Sequence, residues 1–537
     1  MSGALLLITL GPVQEFIAQS RRTRDLWYGS HLLSELGRAA ARSLSDGGAR
    51  LIFPALVPGD TELERCLSPF RPDERQPLNI ANKLLAEIPA GVDPRELARS
   101  TREQVMRFWS EDVAAPVKKR CAGLLASGID QVWREQIATL LEFTAAWAPL
   151  GEYPNAREVV EQAVAARKNL RDFAPWRHCR GNVRKSSLDG ARETVLLPPP
   201  RRPRKLACKY RIGDTEQLDA VGLVKRAGGN PGQFVPLVNV ALASWIELAE
   251  KEAAEPLEAL RVACEKVGLA RVDRDLPCVS SFPFDASVLL PSRWEPVFKE
   301  QGLAGSPQPW GRQHVKPLLK RLSEPYPYVA CLVADGDRMG RAIDVLASAG
   351  EHRSLSSHLA RFAGDAREII EQDHRGSLVY AGGDDVLAFL PVPEALACAD
   401  KLQRGFAELM ADAITWPLAA GRPTLSVGVG IGHVMEGMGD LLALGREAKA
   451  LAKAGVPHEQ GHERNALAVV LDKRSGGPRC WRVGWDDWGG DPVGRLRSDA
   501  VLLEKGLSVR KVYEVARTLS CLPEPDVSND PAWAGVL

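Results

Sequence analysis

Two apolar runs, Leu378 to Tyr380 and Val386 to Leu390, flank the stretch Ala381-Gly-Gly-Asp-Asp385. Apolar run, glycine pair, apolar run predicts a tight β-hairpin. Its tip carries two adjacent carboxylates. Gly382 and Gly383 lack the Cβ atoms that would stop a ligand approaching the backbone. Acidic oxygens beside open backbone suit a Mg²⁺ ion carrying a nucleoside triphosphate. An ordinary Gly-Asp turn explains the same four residues, because turns favour them.

A second stretch favours the chemical reading. Tyr328 to Val333 is a buried-type strand that runs into Asp335 and Asp337. A carboxylate at the end of one strand, beside carboxylates on a neighbouring hairpin, is the palm arrangement of two-metal nucleotidyl transfer. Residues 341–371 between them are long enough for helices, so the two strands can lie side by side.

The chain has 537 residues, too many for one core of usual size. Lys plus Arg number 69 against 68 Asp plus Glu, so net charge argues for no partner. Ala4 to Leu10 is apolar but too short to cross a bilayer, and no cleavable signal pattern follows, so no membrane association and a cytoplasmic location are expected. The ten cysteines contain no Cys-x-x-Cys pair, which argues against structural zinc and for buried thiols.

Along the chain, Ala4 to Leu10 reads as a strand, broken by Gly11-Pro12. Val13 to Leu44 reads as one long amphipathic helix. Arg50 to Leu56 reads as a strand. Residues 98–148 read as largely helical, with Trp109, Trp133 and Trp147 as core anchors. Arg167 to Arg211 is basic and proline-rich, the composition of a solvated loop. Leu237 to Leu269 reads as helical. Thr424 to Gly432 and Asn465 to Leu471 read as strands around a helix from Leu441 to Ala454, whose Lys449 and Lys453 share one side. Ser498 to Leu519 reads as helical.

An ordered set of motifs then resembles the large polymerase/cyclase subunit of type III CRISPR effector complexes, in its Cmr (III-B) branch. The set comprises Gly11 to Ile17, Arg22 to Trp27, Gly29-Ser30 with Leu32 to Ser34, Asn79 to Lys83, Ala220 to Arg226, Asp335 to Gly340, the Gly-Gly-Asp-Asp hairpin, Thr424 to Gly428 and Asn465 to Val469. It spans most of the chain.

The resemblance implies an α/β (α+β) fold with two ferredoxin-like palm domains and helical domains. Residues 1–236 would hold a degenerate first palm with helical insertions, since its strand ends in Thr9-Leu10-Gly11 without a carboxylate. Residues 237–322 would be a helical connector, 323–475 the active palm, and 476–537 a short, reduced or truncated C-terminal helical domain. The implied reaction converts ATP to cyclic oligoadenylates through 3′–5′ linkages with Mg²⁺ or Mn²⁺, under control of target RNA.

Asp335, Asp384 and Asp385 are the expected catalytic residues and metal ligands. Gly336, Asp337, Gly340, Gly382, Gly383, Ser426 and Lys453 are expected to line the nucleotide, Ser426 by reading a base and Lys453 by meeting triphosphate. Asp337 is expected to turn away from Asp335. Expected partners are other Cmr-type subunits, including the small-subunit neighbours, with crRNA and target RNA, to which the basic loop is a candidate contributor. An N-terminal His-Asp nuclease, carried by some members, is expected to be missing, because the chain opens on the first palm strand and holds no His-Asp dipeptide.

The palm could instead join AMP to another acceptor, or be a catalytically silent scaffold. His458-Glu-Gln-Gly-His462 fits the zinc-protease pattern, but Gly455, Pro457 and Gly461 argue for a loop rather than the helix that pattern requires. Cys179 and Cys208 lie where family members hold zinc, without the paired spacing.

Overall fold

The computed structural model describes residues 3–55, 80–170, 183–230, 234–413, 421–454 and 463–521. The His458 to His462 motif and Cys179 lie outside them. The fold is of the α/β class and is built on two sheets.

The first sheet contains β1 (Ala4–Gly11), β2 (Arg50–Phe53), β3 (Lys83–Ile88) and β4 (Glu142–Pro149) in the order β2-β3-β1-β4, all antiparallel. The second contains β5 (Tyr328–Asp337), β6 (Ser377–Gly382), β7 (Asp385–Pro391), β8 (Thr424–His433), β9 (Ala466–Leu471) and β10 (Arg479–Gly484). Its order is β10-β9-β8-β5-β7-β6. Its four strands β8-β5-β7-β6 match the first sheet's order read from β4, that is β4-β1-β3-β2. Both are therefore ferredoxin-like, and the second adds β9 parallel to β8 and β10 antiparallel to β9.

The helices that matter for the site are α1 (Gln14–Ala18), α2 (Thr23–Asp46), α3 (Ala220–Ala227), α4 (Leu237–Glu252), α5 (Ala349–Glu368), α6 (Val392–Ala413) and α7 (Met438–Lys453). α2 packs on β6 and α5 on β2, so each palm lends a helix to the other's sheet. α4 covers β5 and β7 from the helical region between them. Among the described residues, no helix is long and apolar enough to cross a membrane.

Two sequence expectations need correction. The helix expected from Val13 to Leu44 is two helices with a break at residues 19–22. Carbonyls that would continue the first helix are taken by side chains. The Ser20 hydroxyl donates to the Ile17 carbonyl at 2.6 Å, and the Lys225 ammonium donates to the carbonyls of Phe16 and Gln19. The Asp25 carboxylate then accepts from the amides of Arg21 and Arg22, each at 3.1 Å, and restarts the chain as α2.

Second, Glu142 to Pro149 is a strand, not helix. Phe143, Thr144 and Trp147 are residue types that suit a pleated, half-buried surface, and the strand pairs along the whole of β1. Trp109 and Trp133 are buried as expected, but Trp147 remains 38% exposed on this strand.

The residues shared with the resembled family around Asp25 and Arg226 form a buried ion network. Arg226 on α3 donates to both Asp25 oxygens, at 2.5 and 2.7 Å, and to both Glu216 oxygens, at 2.8 and 2.9 Å. Burial opposes the charge on Arg226, and the two carboxylates overcome it. These motifs join α2 to α3 inside the first palm.

Candidate active site

β5 ends in Asp335-Gly-Asp337 because Ala334 is its last residue paired to β7, while β8 follows it to the end. The hairpin closes through a pair between Gly382 and Asp385, leaving Gly383 and Asp384 as its two loop residues. Gly383 has φ +76°, the positive value such a loop needs and glycine supplies without strain. The Gly336 amide donates to the Asp384 carbonyl at 3.1 Å and ties the strand end to the turn. A Cβ on Gly336 would lie 2.7 Å from the Asp384 side chain. Both glycines thus bring Asp384 against β5. A Cβ on Gly382 would strike the Tyr380 ring, whereas one on Gly340 would meet nothing within 4 Å.

The charges around this junction are uneven. Lys449 and Lys453 on α7 hold Asp335, Lys449 at 2.9 Å. Burial pushes the Asp335 carboxyl up, but the bonds to Lys453 and Lys449 outweigh it and hold it below the usual range. Asp384 and Asp385 have no such support. Burial, with the nearby Asp335 charge added, raises Asp384 to about 6. Burial and the charges of Asp384 and Asp335 raise Asp385 to about 7. Among the described residues no group of three His, Cys, Asp or Glu side chains forms a ready metal cage. The two ammonium groups instead sit on Asp335, and Lys453 also approaches Asp337 at 3.4 Å. Asp384 and Asp385 are raised by burial and by neighbouring carboxylate charge, and a cation among them would oppose that shift.

Asp337 departs from its expected place. Residues two apart in a strand share a face, so Asp337 lies on the Asp335 side, and Lys453 reaches both, Asp337 at 3.4 Å. It is fully buried. One of its oxygens accepts from Thr424 Oγ1 at 3.0 Å, Ser426 Oγ at 2.7 Å and the Asn465 amide at 3.0 Å. Ser426 is also fully buried, with its hydroxyl committed to Asp337, so it does not reach a nucleotide base. Asp337 and Ser426 brace the end of β5 rather than line open space.

α7 approaches β8 unusually closely. A Cβ at Gly428 would lie 2.0 Å from the Lys449 amide nitrogen, and one at Gly430 2.4 Å from the Gly445 nitrogen. The alternating glycines of β8 therefore admit the helix backbone itself. That contact delivers Lys449 and Lys453 to Asp335, one strand away.

A cavity of about 380 Å³ opens beside the acids. The second palm contributes Tyr380, Asp385, Arg446 and Lys449 to its wall, and the first palm contributes Gln14, Ile17 and Asn82. Asn82 also fixes the end of β1, donating to the Leu10 carbonyl at 3.1 Å. Sequence reasoning missed Gln14, Asn82 and Arg446. Arg446 had a signal, since Arg446, Lys449 and Lys453 recur at three- and four-residue spacing on one helix side.

His352 and His358 take no part. His352 is buried against the Tyr153 hydroxyl at 2.6 Å, and burial lowers it to about 4. His358 contacts the Ser354 carbonyl at 2.8 Å.

Residues 328–468 match the family model described as Cas10/Cmr2, second palm domain, and residues 5–114 match that of CRISPR-associated protein Cmr2, N-terminal. A curated relative, the CRISPR system Cmr subunit Cmr2 of Pyrococcus furiosus, is 25% identical, covering 98% of this chain and 68% of the relative. A type III-B Cmr-beta structure bound to cognate target RNA aligns with a TM-score of 0.68 at 14% identity, over 99% of this chain and 77% of that one. The apo Cmr-beta structure aligns with a TM-score of 0.61 at 15% identity, over 88% and 70%.

Proposed function

We propose that this chain, a palm protein of the Cas10/Cmr2 kind in the Cmr (III-B) branch, joins ATP into cyclic oligoadenylates as the catalytic subunit of an RNA-guided effector. The observation that carries the reading is the meeting of Asp335, Asp384 and Asp385 with Lys449 and Lys453 beside a cavity shared by both palms.

The 3′-hydroxyl oxygen of one ATP attacks the α-phosphorus of the next. A 3′–5′ phosphodiester bond forms, the bond to the β-phosphate bridging oxygen breaks, and pyrophosphate leaves. Asp385 lies in the cavity wall and would serve either as a metal ligand or as the acceptor of the hydroxyl proton. Lys449 and Lys453 place positive charge where the triphosphate would lie. Mg²⁺ or Mn²⁺, held by Asp335, Asp384 and Asp385, would supply Lewis acidity for the hydroxyl and charge for the leaving pyrophosphate. The first palm closes the far wall through Gln14 and Asn82 and positions the second nucleotide.

By the same kinship, the partners are other Cmr-type subunits, crRNA and target RNA. Target pairing would favour the arrangement of the palms that aligns two ATP molecules. The test incubates the assembled complex with ATP, Mg²⁺ or Mn²⁺ and matched target RNA, and identifies products by mass spectrometry. Cyclic 3′–5′ oligoadenylates made only with matched target are expected. AMP transferred to another acceptor, or no nucleotide product, would overturn the reading.

A further inference from the structure

Away from the palm site, α2 begins beside a second concave region. A cavity of about 540 Å³ is lined by Arg24, Arg204, Lys205, Lys209, Arg211 and Arg271, with no carboxylate in its wall. Neither Arg204 nor Lys205 has an ion-pair partner among the described residues.

Arg24 is the informative member. Its side chain is 5% exposed, yet its Nε and one terminal nitrogen have no hydrogen-bond partner. The adjacent carboxylate, Asp25, is committed to Arg226 through both oxygens. What Arg24 does have is the Phe234 ring, 4.8 Å from its guanidinium carbon. Burial, then the Arg226 charge, lowers Arg24 to about 9, with Arg211 and Arg22 adding to the effect and Asp25 opposing it. A buried guanidinium with free donors is costly unless an anion completes it. The start of the 24-residue α2 adds the positive end of its dipole.

We propose that this cleft binds a phosphate group, with Arg24 as the buried anchor and Arg204, Lys205 and Lys209 as the exposed collar. Arg211 is already held by Asp285 at 2.9 Å and Arg271 by Glu265 at 2.6 Å, so these two shape the rim. A guanidinium stacked on an aromatic ring presents its edge to two phosphate oxygens. The phosphate can come from a single-stranded RNA backbone or from a free polyphosphate.

The experiment uses the full chain in EDTA, which removes divalent-dependent binding at the palm. A fluorescent single-stranded RNA oligonucleotide and inorganic pyrophosphate are titrated separately into the parent, Arg24→Gln and the double variant Arg204→Glu/Lys205→Glu. At least tenfold weaker binding in both variants is expected. For RNA, the salt dependence of log K should also fall by about one unit for Arg24→Gln. Loss confined to RNA assigns a phosphodiester backbone; loss confined to pyrophosphate assigns a free polyanion. Circular dichroism checks that Arg24→Gln is folded; if it is not, the exposed double variant decides. Unchanged binding of both probes overturns the proposal.

Discussion

Asp385→Asn should stabilise the metal-free protein at high pH while removing its activity. Asp385 rises from an ordinary carboxylate value of 3.8 to about 7, a shift of about three units. Each unit corresponds to about 1.4 kcal/mol, so full ionisation would cost on the order of 4 kcal/mol. The carboxylates share that cost, and the group is half-buried, so about 2 kcal/mol is the working figure. The sign follows from proton counting. Between about pH 4 and 7 the folded state binds more protons than the unfolded one, so stability falls as pH rises through that window. Asparagine keeps the shape and removes the charge. The variant should match the parent near pH 4 and exceed it by about 2 kcal/mol at pH 8. Added Mn²⁺ should close the gap by binding the parent. Urea unfolding at pH 4.5, 6.5 and 8, with and without Mn²⁺, measures this. A variant no more stable than the parent at pH 8 without metal would refute the strained-carboxylate argument.

Lys453→Ala should slow nucleotide synthesis about 100-fold, the usual scale for one lost charge-stabilising donor, as measured by product formation in the complex. Gly428→Ala should cost at least about 1–3 kcal/mol, because its Cβ meets the α7 backbone and not a yielding side chain, and the melting temperature should drop accordingly. Arg226→Met should cost about 3–5 kcal/mol by stranding Asp25 and Glu216 in the first palm, read by the same unfolding assay. Replacing His352 and His358 should leave any DNA cleavage by the complex unchanged, since both are used in local packing.

The order of elements in the second palm was legible because each follows from a local rule. Apolar runs mark the strands, the glycine pair marks the turn, and the stripe of Leu441, Leu444, Ala448 and Leu451 marks the helix. The long-range parts were not legible. Nothing near residue 19 signals that Lys225, over two hundred positions away, takes the carbonyls that would have continued the helix. β4 was lost because residues 98–148 were read as one largely helical stretch, and its strand character depends on pairing with β1, which no local pattern encodes. The misplacement of Asp337 was an error in applying a legible rule, since strand positions two apart share a face. Ser426 was assigned to a base by the resemblance alone, and its burial against Asp337 depends on register between β5 and β8, which no single segment encodes.

The glycines of β8 give the site its charge logic. Gly428 pairs with Val333 and Ser426 with Asp335, so α7 crosses directly beside the strand that bears the acid. Because backbone meets backbone there, the lysines start close enough to reach Asp335. They neutralise Asp335 and leave the hairpin pair underpaired, with both carboxyls raised. On the proposed reading, Asp335 would be shared between the lysines and a bound cation, and Lys449 and Lys453 would be the ammonium groups available to the triphosphate. Metal loading and substrate binding would then be one coupled event. Lys449 and Lys453 variants should accordingly change the pH at which metal binds as well as the rate, because a weaker hold on Asp335 raises the proton affinity of all three acids.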